Sequence, residues 1–96
     1  MDKKLKAKWV TALRSGRYRQ ARGELKSASG AYCCLGVLRK IMHPKSVLER
    51  NKVDGYLCGK HLKEAGLGAD QQYALVAMND DGESFSEIAS YIESKL

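Results

Sequence analysis

Apolar residues recur at helical spacing in several short segments of this 96-residue chain, and Gly or Pro follows most of those segments. Leu5, Trp9, Ala12 and Leu13 stand at positions i, i+4, i+7 and i+8, which places them on one face of an amphipathic helix. Gly16 stands just past the last of them, where helices commonly stop. The pattern therefore predicts a first helix that buries Trp9 and leaves its lysines exposed.

A second helix is predicted from residue 33 onward, where Cys34, Leu38, Ile41 and Met42 repeat the same spacing. Pro44 ends this segment, since proline cannot continue a helix. Gly36 lies inside the helix, where glycine costs about 1 kcal/mol relative to alanine. The residue is therefore expected to mark a point at which another part of the chain packs closely.

Three further helices are predicted in the second half of the chain. Residues 57–65 form one that ends at Gly66, and residues 71–78 form another, with Asp70 as its cap and an apolar run in the core. Ser84 and Glu87 have the spacing of a capping box. They precede a helical apolar stripe, which consists of Phe85, Ile88, Ala89, Ile92 and Leu96.

Helical periodicity is absent between residues 17 and 30, where Gly23 and the turn-forming cluster at 27–30 predict a hairpin with strands near 22–26 and 30–33. Residues 43–56 predict a polar loop with at most one helical turn at 47–48. The sequence thus predicts a mainly α (α+β) fold. It would be a single domain over residues 1–96, with four to five helices and one small β-hairpin near residues 22–33.

Charge divides the chain into two halves. Residues 1–50 contain 13 Lys or Arg and 3 acids, a net +10, whereas residues 51–96 contain 4 Lys and 8 acids, a net −4. Such a field bears on partners rather than on fold. No apolar run approaches the roughly 20 residues that span a bilayer, and no signal peptide is evident. We therefore expect no membrane contact and a cytoplasmic location.

The basic segment at residues 14–22 is the main candidate for partner binding. Arginines bind phosphates and carboxylates bidentately, and a tyrosine can stack on a base or anchor a protein interface. The alternatives are nucleic acid, an acidic protein surface, and a solvated loop with no partner. The candidate partner-binding residues are Arg14, Arg17, Tyr18, Arg19, Gln20, Arg22 and Tyr32.

Metal and catalytic motifs are weak. Cys58 and His61, with Cys33, Cys34 and His43 elsewhere, offer zinc ligands, but their spacing matches no zinc finger. Residues 79–82 predict a turn before the last helix, and residues 79–84 do not have the ligand register of a calcium loop. No Cys or Ser stands in a local catalytic signature. We therefore expect reduced, structural cysteines, no metal, no cofactor and no catalytic residue.

Two sequence blocks carry a resemblance. The first is WVxALRSGxYxQ at residues 9–20, continued by GxL at 23–25 and AYCCLGVL at 31–38, and the second is MNDxGxSFxEIAxYIE at 78–93. Together they cover around half the chain and resemble a family of small hypothetical proteins of bacteriophages and prophages. The resemblance implies a phage-encoded accessory protein acting in a bacterial host. Tyr18, Gln20 and Tyr32 are the block residues with the least obvious structural role.

The leading hypothesis is a non-enzymatic binding protein that inhibits or redirects a host factor through its basic Arg/Tyr surface. The partner would be a host bacterial protein with an acidic or nucleic-acid-binding surface, such as a defence nuclease or a nucleoprotein complex. The alternatives are a nucleic-acid-binding accessory protein and a small-ligand-binding protein, the latter with Tyr18, Tyr32 and the Cys33–Cys34 region around a pocket. The charge division also permits self-association into a homo-oligomer.

Overall fold

A computed structural model of the protein describes residues 1–46 and 55–96, which form five α-helices. They are α1 (Lys3–Arg14), α2 (Cys34–Met42), α3 (Gly59–Ala65), α4 (Ala69–Asp80) and α5 (Phe85–Lys95). α1 packs most extensively on α5 and also contacts α2, while α4 contacts both α2 and α5. The mainly helical prediction is confirmed. The predicted helical turn at residues 47–48 lies outside the described residues.

Helix ends follow the local chemistry of their caps. Asp2 accepts a hydrogen bond from the Leu5 amide at 2.9 Å and so caps α1, and Gly66 ends α3 with a left-handed φ of 75°. The capping box of α5 is confirmed, because the Ser84 hydroxyl accepts from the Glu87 amide at 3.1 Å and the Ser84 amide donates to the Glu87 carboxylate at 3.0 Å. Hydrogen bonds from Ser84 lower the pKa of Glu87.

α4 is longer than predicted, and its cap differs. The N-cap is Gly68, whose amide donates to the Gln71 side-chain oxygen at 2.8 Å, so Asp70 lies in the first turn of the helix rather than at its cap. The acid still favours that end of the helix through the macrodipole. At its other end α4 continues through Asn79 to Asp80, which shortens the predicted turn before Gly82.

The predicted β-hairpin is wrong, since the described residues contain no strand. Residues 15–33 instead form a loop with two isolated bridges, a parallel one between Gln20 and Tyr32 and an antiparallel one between Lys26 and Tyr32. Tyr32 is thus the centre of both bridges. Its amide donates to the Arg19 carbonyl at 2.8 Å, and its carbonyl accepts from the Ala21 amide at 2.7 Å.

Two local events stop the hairpin from extending. The turn at 27–30 forms as predicted, with the Ser27 amide donating to the Ala31 carbonyl at 2.8 Å. Directly after Tyr32, however, Cys33 becomes the N-cap of α2. On the other side the chain bends at Gly23, which has a φ of 79° and donates its amide to Asp80 at 3.0 Å. Neither arm therefore stays extended long enough to form a ladder.

Gly36 marks the close approach that its sequence position predicted. A Cβ atom at this position would lie 1.9 Å from the carbonyl oxygen of Leu25, which places the backbone of the loop directly against α2. Only glycine leaves room for such a contact. The amide of Cys33 also donates to the Leu25 carbonyl at 3.3 Å, so the loop and the start of α2 are joined at this point.

The core lies between α1, α2, α4 and α5. Trp9 is fully buried, and its indole Nε1 donates to the Cys34 carbonyl at 2.9 Å, which satisfies the polar edge of an otherwise apolar ring. The other largest fully buried apolar side chains are Leu35, Leu38, Leu75, Ile88 and Ile92. None of the helices in residues 1–46 and 55–96 is long and apolar enough to cross a bilayer.

Candidate functional site

The exposed side of α1 carries only positive charge. The helix buries Trp9, Val10 and Leu13 and turns most of its other positions outward. Its charged residues are all basic: Lys3, Lys4, Lys6, Lys8 and Arg14. We call this side of the helix, together with the adjoining Arg17 and Tyr18, the α1 surface.

A groove of about 580 Å³ borders the α1 surface on the side of α2. Lys8 and Arg17 contribute the charges, Tyr18 contributes an aromatic ring, and Ile41 at the end of α2 contributes apolar area. The remaining lining residues are Ala7, Thr11, Ala12 and Ser15. The groove therefore combines an apolar lining with two cations, a composition suited to an amphipathic acidic partner.

A second groove, of about 430 Å³, borders α1 on the side of α5. Its lining comprises Lys3, Lys6, Ala7, Val10, Thr11, Arg14 and Glu93. Because Ala7 and Thr11 line both grooves, these two small side chains form a low ridge between them. The two grooves and the ridge make one continuous surface with five cations and a single acid.

Arg14 is one of the predicted partner-binding residues, and its guanidinium is engaged within the chain. Nη1 and Nη2 donate to the two carboxylate oxygens of Glu93 at 3.2 and 3.3 Å, and Nη2 also donates to the Ser90 hydroxyl at 3.1 Å. Such a forked arrangement fixes both partners. Arg14 therefore joins the end of α1 to α5 and has fewer donors left for a partner.

The other three predicted arginines differ in their surroundings. Arg19 donates to the carbonyl of Ser29 across the loop. Arg22 extends over the turn between α4 and α5, where its Nη2 lies 3.9 Å from the position that a Cβ on Gly82 would take. Within residues 1–46 and 55–96, the Arg17 guanidinium has no hydrogen-bond partner, and it lines the groove beside α2.

The structure brings the side chains of Tyr18 and Tyr32 into contact. Their rings meet edge to face with centroids 5.4 Å apart, a favourable aromatic geometry. Lys26 adds a cation 6.0 Å from the Tyr32 ring centre. Tyr32 does not line the groove beside α2, whereas Tyr18 does. The structure therefore places Tyr32 behind Tyr18, as its support.

Gln20 points inward rather than toward a partner. Its side-chain nitrogen donates to the Asn79 side-chain oxygen at 3.0 Å and to the Glu83 carbonyl at 2.7 Å. Asn79, which is fully buried, also accepts from the Cys34 amide at 3.2 Å and donates to the Ala21 carbonyl at 2.7 Å. Asn79 thus joins α4, the loop and α2.

Sequence reasoning missed the role of Asn79 because it read residues 79–82 as a turn. The only sequence signal was that this asparagine directly follows the apolar run of the predicted helix at residues 71–78. Once α4 continues to Asp80, the asparagine faces the core and needs partners for all its polar atoms. Gln20 supplies one of those partners, which explains its place in the first sequence block.

Cys33 and Cys34 are buried, free and structural. The Cys33 sulfur accepts from the Gly36 amide at 3.4 Å and so caps α2. Burial raises the pKa of Cys33 to about 11 and raises the pKa of Cys34 well above its ordinary value. Both side chains therefore stay protonated at neutral pH, which makes them poor nucleophiles and poor metal ligands.

A polar cluster forms where α2 ends and α3 begins. His43 Nε2 lies 2.8 Å from a Glu64 carboxylate oxygen, and the rings of His43 and His61 lie 5.1 Å apart. Cys58 Sγ lies 3.3 Å from His61 Nδ1. The structure thus brings three of the considered zinc ligands together with Glu64, and it keeps Cys33 and Cys34 apart in the core.

Glu64 was missed in the sequence, although its spacing was visible. His61 and Glu64 stand three residues apart, which puts them on one side of α3. The hydrogen bond from His43 lowers the pKa of Glu64. Burial lowers the pKa of His61, and the charges of Arg39 and His43 lower it further.

Comparison with known families gives one match. A family model described as "Domain of unknown function (DUF8296)" matches residues 1–55. That region includes α1, the loop and α2, so it contains all seven predicted partner-binding residues. No curated protein and no solved structure matches the chain.

Proposed function

This chain belongs to the family of the domain of unknown function DUF8296, and we propose that it is a non-enzymatic protein that binds an acidic surface of another protein. The α1 surface is the binding site. The supporting observation is that five cations and only one acid surround two grooves that share an uncharged ridge of small side chains. Such a surface attracts an acidic partner at long range and offers apolar area for contact.

Arg17 and Tyr18 are the proposed centre of the contact. Arg and Tyr are enriched at binding hot spots because each combines a large contact area with polar specificity. The Arg17 guanidinium has no hydrogen-bond partner among the described residues, so it is available to a carboxylate. Tyr18 is held by Tyr32 at 5.4 Å, and a ring that is already ordered loses little entropy on binding.

The other predicted binding residues take supporting roles in this proposal. Arg14 joins the end of α1 to α5 through Glu93, and Arg19 crosses the loop to the Ser29 carbonyl. Gln20 anchors the loop to Asn79. In the proposed binding site, residues earlier in the chain provide the charges instead. These are Lys3, Lys6 and Lys8, which line the two grooves.

The resemblance to bacteriophage and prophage proteins extends the proposal to the partner. We place the chain in the cytoplasm of a bacterial host, where it inhibits or redirects a host factor. A defence nuclease or a nucleoprotein complex is the proposed partner, and the contact would be with an acidic surface of that factor, since its nucleic-acid-binding surface is basic and would repel the five cations. An acidic surface of a second copy of this chain could occupy the same α1 surface and would then compete with the host factor.

Nucleic acid is the second candidate because the same five cations suit phosphates. The uncharged ridge and the internal engagement of Arg14 favour a protein, since a phosphate-binding surface is served by free guanidinium groups. The two candidates differ in salt response. Affinity for nucleic acid falls steeply and linearly on a logarithmic salt scale, with a slope close to the number of phosphates contacted.

The test compares two charge-reversal variants that change the net charge equally. Lys8→Glu with Arg17→Glu alters the α1 surface, and Lys45→Glu with Lys95→Glu alters exposed lysines outside both grooves. Tagged wild type and both variants are used in pull-downs from bacterial lysate, with and without nuclease, and the affinity for the captured protein is then measured. We expect the first variant to bind at least tenfold more weakly, about 1.4 kcal/mol, and the second to bind like wild type.

Three results contradict the proposal. Equal weakening in both variants shows that net charge alone controls binding. Loss of every captured protein after nuclease treatment assigns the surface to nucleic acid. An unchanged affinity of the Lys8→Glu, Arg17→Glu variant, with an unchanged circular dichroism spectrum, removes the α1 surface from the contact.

A further inference from the structure

Residues from two helices form a compact group of metal-ligating side chains at the junction of α2 and α3. His43 is the C-cap of α2, and His61 and Glu64 stand three residues apart in α3. One ligand atom from each of the three lies within 4.8 Å of the others. All three residues retain some exposure, so an ion from solvent can reach them. The group uses no residue of the α1 surface.

The donor set indicates which kind of ion fits. Two imidazole nitrogens and one carboxylate are typical ligands of Zn²⁺ and other divalent transition metals, whereas Mg²⁺ and Ca²⁺ prefer sites made of oxygen atoms alone. Three protein ligands also leave at least one position of a tetrahedral zinc ion free for water. From this geometry we propose that His43, His61 and Glu64 form a binding site for Zn²⁺.

Cys58 has a positioning role in this site. It does not belong to the group of three mutually close ligand atoms, yet its sulfur lies 3.3 Å from His61 Nδ1. A ligating histidine commonly donates its other ring N–H to a neighbouring acceptor, which fixes the ring and its tautomer. With Nδ1 facing the sulfur, Nε2 is the His61 nitrogen available to the metal.

Zinc binding requires side-chain movement at two points: the close His43–Glu64 pair must separate, and the His61 ligand atom, which lies within 4.8 Å of the other two, must approach them by up to about 1.5 Å. Two ligands at 2.0–2.2 Å from a tetrahedral zinc ion lie about 3.3 Å apart. His43 Nε2 and the Glu64 oxygen are 2.8 Å apart, so they must separate by about half an ångström. Rotation of the exposed Glu64 side chain is sufficient for this change. Zn²⁺ takes the place of the hydrogen now shared by the pair, which is released to solvent, and His43 binds the metal as a neutral imidazole with its hydrogen on Nδ1.

Nearby positive charge limits the affinity. Arg39 and Lys60 act electrostatically on His61, and Glu64 is the only acid of the ligand set. An Arg39 nitrogen is held by the Ser46 hydroxyl at 3.1 Å, which directs part of that charge toward Ser46. We therefore expect a site that binds Zn²⁺ reversibly rather than one that is needed for folding.

The experiment is a titration of the full chain, free of any histidine tag, with Zn²⁺ by calorimetry and with Co²⁺ by visible absorption. The variants are Glu64→Gln and His61→Ala, and Glu83→Gln is the matched carboxylate control. We expect wild type and the control to take up one equivalent of Zn²⁺ and to give the absorption bands of a Co²⁺ site. Each ligand variant should bind Zn²⁺ more than about tenfold more weakly, and millimolar Mg²⁺ or Ca²⁺ should not compete.

Circular dichroism and thermal unfolding without metal show whether each variant is folded. We expect Glu64→Gln to fold as wild type does, because the substitution changes only an exposed side chain. Two outcomes overturn the proposal: no uptake of Zn²⁺ by wild type, and ligand variants that bind Zn²⁺ as wild type does. In each of these cases His43 and Glu64 form only a surface hydrogen bond.

Discussion

Replacement of Gly36 by alanine tests the packing of the loop against α2, because two known effects of that substitution have opposite signs. In the interior of an exposed helix, alanine is more favourable than glycine by about 0.8–1.0 kcal/mol. Here, however, the new Cβ would lie 1.9 Å from the Leu25 carbonyl oxygen, and contacts under 3.0 Å are essentially never seen. The loop must therefore move by more than 1 Å.

That displacement is costly because the atom in the way belongs to the backbone. The Leu25 carbonyl also accepts from the Cys33 amide at 3.3 Å, so movement of the loop breaks a bond at the start of α2. Overpacking of a filled core costs about 1–3 kcal/mol, and a lost buried hydrogen bond adds about 1 kcal/mol. After subtraction of the helix-propensity gain, we expect Gly36→Ala to be destabilised by about 2 kcal/mol.

The assay is chemical unfolding followed by the fluorescence of Trp9, the only tryptophan of the chain, which is fully buried when folded. A loss of about 2 kcal/mol also lowers the melting temperature of a domain of this size by about 8–16 °C. Gly59→Ala is the matched control, because a Cβ there would meet nothing within 4 Å. If Gly36→Ala is as stable as wild type or more so, helix propensity dominates and the close approach of the loop is refuted.

Two further predictions concern the buried polar groups. Asn79→Ala leaves the Cys34 amide and the Ala21 carbonyl without this partner and removes one of the two hydrogen bonds of the Gln20 side chain. We expect a loss of about 3 kcal/mol in the free energy of unfolding, measured by urea titration. A loss below about 1 kcal/mol contradicts the proposed junction. Burial raises the pKa of Cys33 to about 11 and that of Cys34 well above its ordinary value, so both are protonated at pH 8. A thiol reagent at that pH should label only Cys58 in the folded protein and all three cysteines after unfolding, as read by mass spectrometry; rapid labelling of Cys33 in the folded protein shows that its burial is transient.

Helices were predictable because each one carries its own signal. The stripe of Leu5, Trp9 and Leu13 and the capping pair Ser84 and Glu87 act within a few residues of each other. Even the unusual Gly36 could be interpreted, since a glycine inside a helical pattern requires a packing reason. These signals depend on spacing along the chain, which the sequence shows directly.

The loop between α1 and α2 was not predictable in the same way. Its turn at 27–30 was identified, but the choice between a hairpin and isolated bridges depends on contacts with α4, more than fifty residues away. Asp80 holds the amide of Gly23, and Asn79 holds the carbonyl of Ala21. Such long-range bonds override the local β pattern. The bond from Asn79 to the Ala21 carbonyl also satisfies buried polar groups.

For the candidate sites as well, the sequence shows the local features but not the long-range contacts. The basic character of the first half followed from charge counting, yet the sequence could not show that Arg14 is engaged by Glu93 and that Arg17 is not similarly engaged within the described residues. For the metal cluster, His61 and Glu64 are adjacent on a short helix, whereas His43 comes from another helix. The spacing of the first pair is visible in the sequence, and the third ligand depends on how the helices pack.

The packing of α1 on α5, and of α2 on α4, has a consequence for how this family is delimited. The matched region, residues 1–55, contains α1 and α2 but neither of the helices that cover them. A fragment of that length would expose Trp9, Leu35 and Leu38 to water and would lose the Asn79 bond at the start of α2. We therefore expect that the stretch matched by the family model does not fold alone, and that the α1 surface keeps its shape only when the second half of the chain is present.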